Sequence, residues 1–490
     1  MSCGTAPEAA TRPAPDRLTI GVPEGIVAGT DLGIRQMMAA LSLEGLTQLG
    51  EDGRAVPRLA EKWQWEGTKL RVTLREGVTF HDGTPLTAPL TAMILREAIN
   101  RPGNQSLYPS FLDVASISTE GDHQLIFEVK QPAAFLPENL ELPLGMGTVG
   151  TGPYRVVKSE PSEIVLERFD KYHLGAPRIK SVVIRPFQTL RTAWTSLLRG
   201  DIDMVSNVPP EAVEFITNDD IQVVSFVRHY QYLVAFNSKT PQFRLPAVRR
   251  ALNVAIDRDA LIKNVLQGRG ISATGPFWPK HWALDSSVAP YRYDPGLATT
   301  LLQAAVPTPN VQSNVPNARV RFTCLIPANF TLLERVALEV QRQLYGVGVD
   351  MQFEVVPSED FDARIRSGRF EAILIDIVSA PTLERGFQFW RSTRHYQGLN
   401  VFGYENAEAD RIFEVLRASG NEASVRSATS RLQHVLLDDP PALFLAWNEK
   451  TRAVSKDFGI VQQPGRDPID PLYTIWRWTG ADRQLASAGN

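Results

Sequence analysis

Cysteine is nearly absent. Cys3 and Cys324 are the only two in 490 residues, too few for a disulfide framework, a zinc cluster or a C-x-x-C redox pair. Cys324 stands in the apolar run Val320-Arg-Phe-Thr-Cys-Leu-Ile326 and is expected to behave as a small buried hydrophobe. A bridge between the two would tie a floppy end to a core strand and is not expected. Long apolar runs are missing too: nothing approaches the ~18 consecutive apolar residues that cross a bilayer. Charge of one sign is also lacking. A formal net charge of −3 gives no broad attraction to nucleic acid or anionic membrane. The seven histidines, at 81, 123, 173, 229, 281, 395 and 434, contain no i, i+4 pair and no H-E-x-x-H, so a metal cage made by protein alone is not expected. There is no G-x-S-x-G elbow, and no pair of carboxylates stands out as acid and base. Gly145-Met-Gly-Thr-Val-Gly150 spells G-x-G-x-x-G. Pro143 and Pro153 flank it, and 154–158 reads as a strand, whereas a dinucleotide fingerprint needs a helix starting inside it. It reads as turns. No cofactor is expected, and catalysis would have to come from unmarked residues.

What is present is a long, evenly mixed chain. At 490 residues and 43% apolar content it exceeds one ordinary core, so two or three compact units are expected. The stretch 70–90 is the most informative. Leu70, Val72 and Leu74 alternate as a strand, Glu76-Gly77 turns, a second short strand follows, and His81-Asp-Gly-Thr84 makes a tight turn into a capped helix over 87–100. His81 is expected to hold that turn beside Asp82. Strands are predicted at 17–22, 117–119, 124–130, 182–187, 200–205, 232–237, 346–353 and 441–447. Helices are predicted near 34–49, 191–199, 332–344 and from 411 to about 438. Over 245–257, Val248, Leu252, Ala255 and Ile256 fall on one helical face. Strands alternating with helices argue for α/β lobes. Two crossings between lobes, at 232–237 and 441–447, make a hinge, and a cleft between hinged lobes is where a ligand sits.

The wording of 70–90 closely resembles that of the family 5 (peptide/nickel type) extracytoplasmic solute-binding proteins. So do Pro57-Arg-Leu-Ala-Glu-Lys-Trp63, Gly150-Thr-Gly-Pro-Tyr-Arg-Val-Val-Lys158, Ala247-Val-Arg-Arg-Ala-Leu-Asn-Val-Ala-Ile-Asp-Arg258 and Tyr293-Asp-Pro-Gly-Leu-Ala298. The end, 467–478, is similar to the last strand of oligopeptide-binding members. The match runs in order from about 18 to 478. It implies an α/β, two-lobed periplasmic-binding-protein (Venus-flytrap) fold, type II-like, with an extra small α+β subdomain. The implied division is a linker at 1–16, lobe I at 17–55, 165–237 and 452–490, the subdomain at 56–164, and lobe II at 238–451. The implied function is a monomeric receptor that captures a peptide-like or other small organic solute and delivers it to the permease subunits of an ABC importer. A sensor or chaperone-like binder on the same fold is the alternative, an enzyme a more remote one. Ser2-Cys3-Gly4 looks like a bacterial lipoprotein cleavage site. Cys3 is therefore expected to carry lipid and to tether the body to the outer face of the cytoplasmic membrane.

Aromatic residues near the inter-lobe edges supply flat contact area at small entropic cost. Tyr230, Tyr232, Trp278, Trp282, Trp390, Tyr404 and Trp447 are candidates, with Gly25, Tyr108, Asp376, Arg385 and Asn448 as further ligand contacts. His395, near Trp390 and Tyr396, could touch a metal chelate, since nickel-type members bind chelated metal. Peptide-binding relatives anchor the peptide's amino group on an aspartate whose place here falls at Ile377, one beyond Asp376. Neighbouring strand residues face opposite ways, so Asp376 cannot substitute unless the strand bulges. An unpaired buried ammonium is costly, which argues against α-amine recognition. Arg385 and Arg391 suit a carboxylate or phosphate instead.

Overall fold

The computed structural model describes residues 11–12, 14–23, 30–101, 103–308, 312–328, 330–378, 382–392, 400–461, 475–480 and 483–484. Cys3, Gly25 and His395 lie outside the described residues, as does the side chain of Arg385.

Residues 70–90 fold as their pattern predicts. Leu70, Val72 and Leu74 are fully buried on one face of Lys69–Leu74, which pairs with Ala60–Glu66 and Gln124–Val129 in a four-stranded antiparallel sheet completed by Val114–Glu120. The helix Ala88–Ile99 starts on a proline in its first turn and buries Ala92, Leu95 and Ala98 against this sheet. His81 is a fastener. Its Nδ1 accepts the Gly150 N–H at 3.2 Å and its Nε2 donates to the Gly152 carbonyl at 2.9 Å, sewing the turn to the segment that leaves the subdomain. The G-x-G-x-x-G stretch is a turn: Gly147 has φ +66°, and Met146 and Val149 bridge across it.

Most other strands join one 11-stranded sheet that runs through both lobes. From one edge it passes through Val349–Val356, Val320–Pro327, Ala372–Val378, Ile221–Phe236, Ala442–Ser455, Met204–Val208, Arg17–Pro23, Ser181–Phe187, Glu163–Arg168 and Tyr154–Glu160. At one end of the two long strands, Val234, Leu374 and Leu443 pack with the helices Pro246–Val254 and Thr331–Tyr345, and on the other face Leu233, Ile373 and Phe444 pack with Leu383–Trp390, Ala407–Arg417 and Glu422–Asp438. At the other end Leu18, Ile20, Val182, Ile184 and Met204 form a separate core. Val248, Leu252, Ala255 and Ile256, expected on one helical face, are all buried in the first of these cores.

Four expectations need correction. The helix expected at 34–49 is Thr30–Ser42, followed by the strand Thr47–Leu49; between them the chain passes against the Glu141 backbone at Gly45, where a Cβ would lie 2.5 Å from the Glu141 carbonyl oxygen. The helical run to 438 is two helices, because Asn421 starts a new one by accepting the Ser424 N–H at 2.9 Å. Tyr154–Glu160, expected in the subdomain, pairs with Glu163–Arg168 in the long sheet. Within 467–478, Ile475–Arg477 is a 3₁₀ turn rather than strand, and 467–474 lie outside the described residues.

Candidate functional site

The crossing between lobes is made by strands longer than their sequence suggested. Ile221–Phe236 spans 16 residues and Ala442–Ser455 spans 14, and they pair antiparallel through both lobes. The register slips most between the lobes: Val227 pairs with Glu449 and Gln231 with Trp447, so Arg228, His229 and Tyr230 stand opposite Asn448 alone. A smaller slip follows inside lobe II, between Tyr232 and Leu233. A stretch out of register in a long ladder lets the two ends twist against each other. The widest break in the pairing therefore falls at 228–230 opposite 448, inside the long strands.

Around this break the candidates sort themselves. Asn448 is buried, and its Nδ2 has no hydrogen-bond partner among the described residues. Tyr230 is half-buried, with the Arg228 guanidinium 3.9 Å from its ring centroid. Trp278 stands edge-on between Trp447 and His229, each 5.0 Å away. Asp376 opposes Tyr232 in the ladder, and Ile377 opposes Gln231. The strand does not bulge there, so Ile377 turns with Ile373 into the core that holds Trp390, while Asp376 lies near Tyr232 on the other face. Burial, then Asp376, pushes the Tyr232 phenol up. The half-buried Lys450 ammonium is pushed down by burial, with Asp376 pulling it back up and Arg228 opposing. These charges, with Glu211, share one neighbourhood beside the break.

Other candidates are structural. Trp390 is 1% exposed, stacked on Phe402 at 5.4 Å and edge-on to Phe444 at 5.8 Å. Tyr404 is equally buried and donates its hydroxyl to the Asp439 carbonyl at 2.8 Å. Neither has a face left for a solute. Arg391 is buried beside Glu414, and burial, then Arg417, pulls its guanidinium down to about 10. Tyr108 is half-buried at the edge of the subdomain core, against Phe111.

The lobes touch along a line that sequence did not reveal. The Trp278 Nε1–H donates to the Glu51 carbonyl at 2.8 Å, and the Trp282 N–H to the Asp52 carbonyl at 3.0 Å. Arg54 lies 4.4 Å from the centre of the Trp282 ring and pairs with Glu422. Arg417 pairs with Asp113. Phe135 of the subdomain meets Phe387 edge-on at 6.1 Å. Between these sits Glu384, fully enclosed on the helix Leu383–Trp390. Its carboxylate accepts from the Ser110 hydroxyl at 2.8 Å and the Asn139 amide at 2.7 Å. Burial lifts its pKa to about 7, against the hydrogen bonds from Ser110 and Asn139 and the Arg417 charge. Glu138 beside it is raised by burial and by Glu384 itself. Ser110 and Asn139 are 274 and 245 positions from Glu384, so no local pattern announces the cluster. Among the described residues, no group of three His, Cys, Asp or Glu could hold a metal ion, and no helix is long and apolar enough to cross a membrane.

Known proteins share this architecture. The family profile described as bacterial extracellular solute-binding proteins, family 5 Middle, matches residues 54–396. The oligopeptide-binding protein AppA of Bacillus subtilis is 23% identical, over 84% of this chain and 81% of its own. The glutathione-binding protein GsiB of Pectobacterium atrosepticum is 26% identical, over 86% of each chain. Among solved structures, NikZ of Campylobacter jejuni in complex with Ni(L-His) superposes with a TM-score of 0.78 at 20% identity, covering 95% of this chain and 99% of its own. The substrate-binding protein CtaP of Listeria monocytogenes superposes at 0.80 and 18% identity, with the same coverage. These neighbours share the mixed α/β, two-lobed fold, and with most of its length matched by the profile, the chain belongs to the bacterial extracellular solute-binding proteins of family 5.

Proposed function

We propose that this protein is an extracytoplasmic receptor that closes on one peptide-like or other small organic solute and hands it, chemically unchanged, to the permease subunits of an ABC importer. The observation that carries the reading is the break at Arg228–Tyr230 opposite Asn448, the widest slip in the two strands that join the lobes. Membership of a family of solute-binding proteins supports it, as do relatives named for oligopeptides and glutathione. A solute that touches both lobes favours the closed form by its difference in affinity between the two forms; one touching a single lobe shifts nothing. ATP is hydrolysed by separate subunits, and the receptor works as a monomer.

Lobe I comprises 17–55, 154–227 and 449–461, the subdomain about 56–150, and lobe II 231–447. The solute meets Tyr230, Trp278, Asp376 and Asn448 near the break, with Gly25 and Arg385 as further contacts. Tyr108 contributes from the subdomain. An apolar Ile377 at the amine-anchoring position supports a solute whose ammonium, if it has one, is read elsewhere. Cys3 carries the lipid that holds the body at the membrane surface.

Native mass spectrometry of protein purified without refolding tests this. A mass excess that leaves on denaturation, and a ligand that rebinds to the emptied chain, is the expected result. Protein that carries nothing, and extracts nothing from the growth medium, overturns it.

A further inference from the structure

Lobe II contains a cavity of about 370 Å³ between the 272–290 segment and the end of the helix Glu422–Asp438. All of its lining residues lie in lobe II. Its size falls at the lower end of the range for small-molecule sites, roughly 300–1,000 Å³. Phe277, Leu284, Val288, Leu436 and Trp447 give it an apolar wall.

The polar groups of the wall define what fits. Asp285 is already engaged: Oδ1 accepts from the Ser287 N–H at 2.9 Å and hydroxyl at 2.6 Å, and Oδ2 from the Ser430 hydroxyl at 2.6 Å. Those bonds hold its carboxyl down at about 2, so it stays ionised and repels an anion. Lys280 pairs with Glu51. Gln433 exchanges both of its hydrogen bonds with the Asp285 backbone, at 2.9 and 3.1 Å. His281 differs. It is 4% exposed, and its Nδ1 accepts the Ala283 N–H at 3.1 Å. Burial, with Arg54 and Arg426 nearby, pulls its pKa down to about 3, so the ring is neutral and its proton sits on Nε2. That Nε2–H has no hydrogen-bond partner among the described residues. A buried donor left unmade is costly, and water or a ligand oxygen in the cavity is what can satisfy it.

We infer that this cavity is a binding site for a neutral, mostly apolar small molecule that offers one hydrogen-bond acceptor, a carbonyl or ether oxygen, to His281. Its wall is also the segment that reaches lobe I, because Trp278 and Trp282 bond to Glu51 and Asp52. An occupant therefore braces the loop on which the lobes meet.

Benzophenone tests the inference, because it combines two apolar rings with one carbonyl and attaches on irradiation to the C–H bonds beside it. The full-length protein, irradiated with it and mapped by peptide mass spectrometry, is expected to label within 272–290 and 433–437. Leu436→Trp fills the cavity and is expected to abolish that labelling. Ser286→Trp, from an exposed rim position, does so without disturbing the core should Leu436→Trp fail to fold. His281→Phe keeps the wall but removes the donor, and is expected to weaken labelling roughly three- to tenfold. Labelling concentrated at 228–230 and 448, labelling that both tryptophan variants leave unchanged, or no labelling of the folded protein each overturns the proposal.

Discussion

Glu384 makes the contact between subdomain and lobe II sensitive to pH, and the sign can be worked out. Its carboxyl titrates at about 7 where it is buried, against an ordinary value of 4.5. A raised pKa means that the enclosed site prefers the protonated form. The contribution to stability is complete below pH 4.5, declines as pH rises, and is lost once pH passes about 7. A tenfold change in proton affinity is worth ~1.4 kcal/mol, so the rise from 4.5 to about 7 amounts to about 3 kcal/mol. The same linkage applies to any opening that hydrates Glu384, because two of its partners, Ser110 and Asn139, sit on the subdomain while it sits on lobe II. The groups facing it are Glu138 and Asp113 from the subdomain and Arg417 and Arg391 from lobe II.

Glu384→Gln removes the titration and keeps the shape. Thermal unfolding of wild type and variant should therefore differ by a pH-dependent amount. At pH 5 the gap carries mostly the fixed cost or gain of the amide. By pH 8 the variant should gain about 3 °C relative to wild type, taking about 2.1 cal/mol/K of unfolding entropy per residue. Glu138 titrates in both proteins and loses the push from Glu384 in the variant, so the difference between the curves reports the coupled pair, and neither curve alone does. A gap that stays constant from pH 5 to pH 8 refutes the reasoning: Glu384 would then be hydrated or compensated in the folded protein.

Three further outcomes follow from placement. Trp390→Ala should destabilise lobe II by about 3–5 kcal/mol, measured by denaturant titration, with little change in the solute affinity of the fraction that stays folded. Asn448→Leu removes the unpartnered amide at the hinge without enlarging the space, and should weaken solute binding by calorimetry roughly tenfold while leaving the melting temperature nearly unchanged. Arg417→Ala leaves the buried Asp113 without its ion pair, at a cost of about 3 kcal/mol or more; small-angle scattering should show a larger radius of gyration as the lobes part.

Local order was legible in the sequence where one face of an element decided it. The alternation at Leu70, Val72 and Leu74, and the helical face of Val248, Leu252 and Ile256, each point into a single core, so period alone placed them. The aromatic candidates fared unevenly for the same reason. A tryptophan near a predicted strand end looks alike whether it lines a cleft or fills a core. What separates Trp278, bonded across to Glu51, from Trp390, stacked on Phe402, is the partner, and neither partner is nearby in the chain.

The hinge shows where such reading stops. The sequence suggested crossings at 232–237 and 441–447, each a strand entering one lobe. The chain instead runs straight through both lobes in two long strands, because Val224 and Phe226 bury on the lobe I side just as Val234 and Phe236 bury in lobe II. Polarity then marks the joint. Arg228, His229 and Tyr230 form the strand's most polar run, and Asn448, Glu449 and Lys450 open a polar run in its partner. Each run alone reads as an ordinary exposed segment. Set opposite each other by the register, they put charge and hydrogen-bonding capacity where the ladder slips most. There the ladder between the two strands gives up the most backbone pairing, so that is where bending would sacrifice the fewest hydrogen bonds.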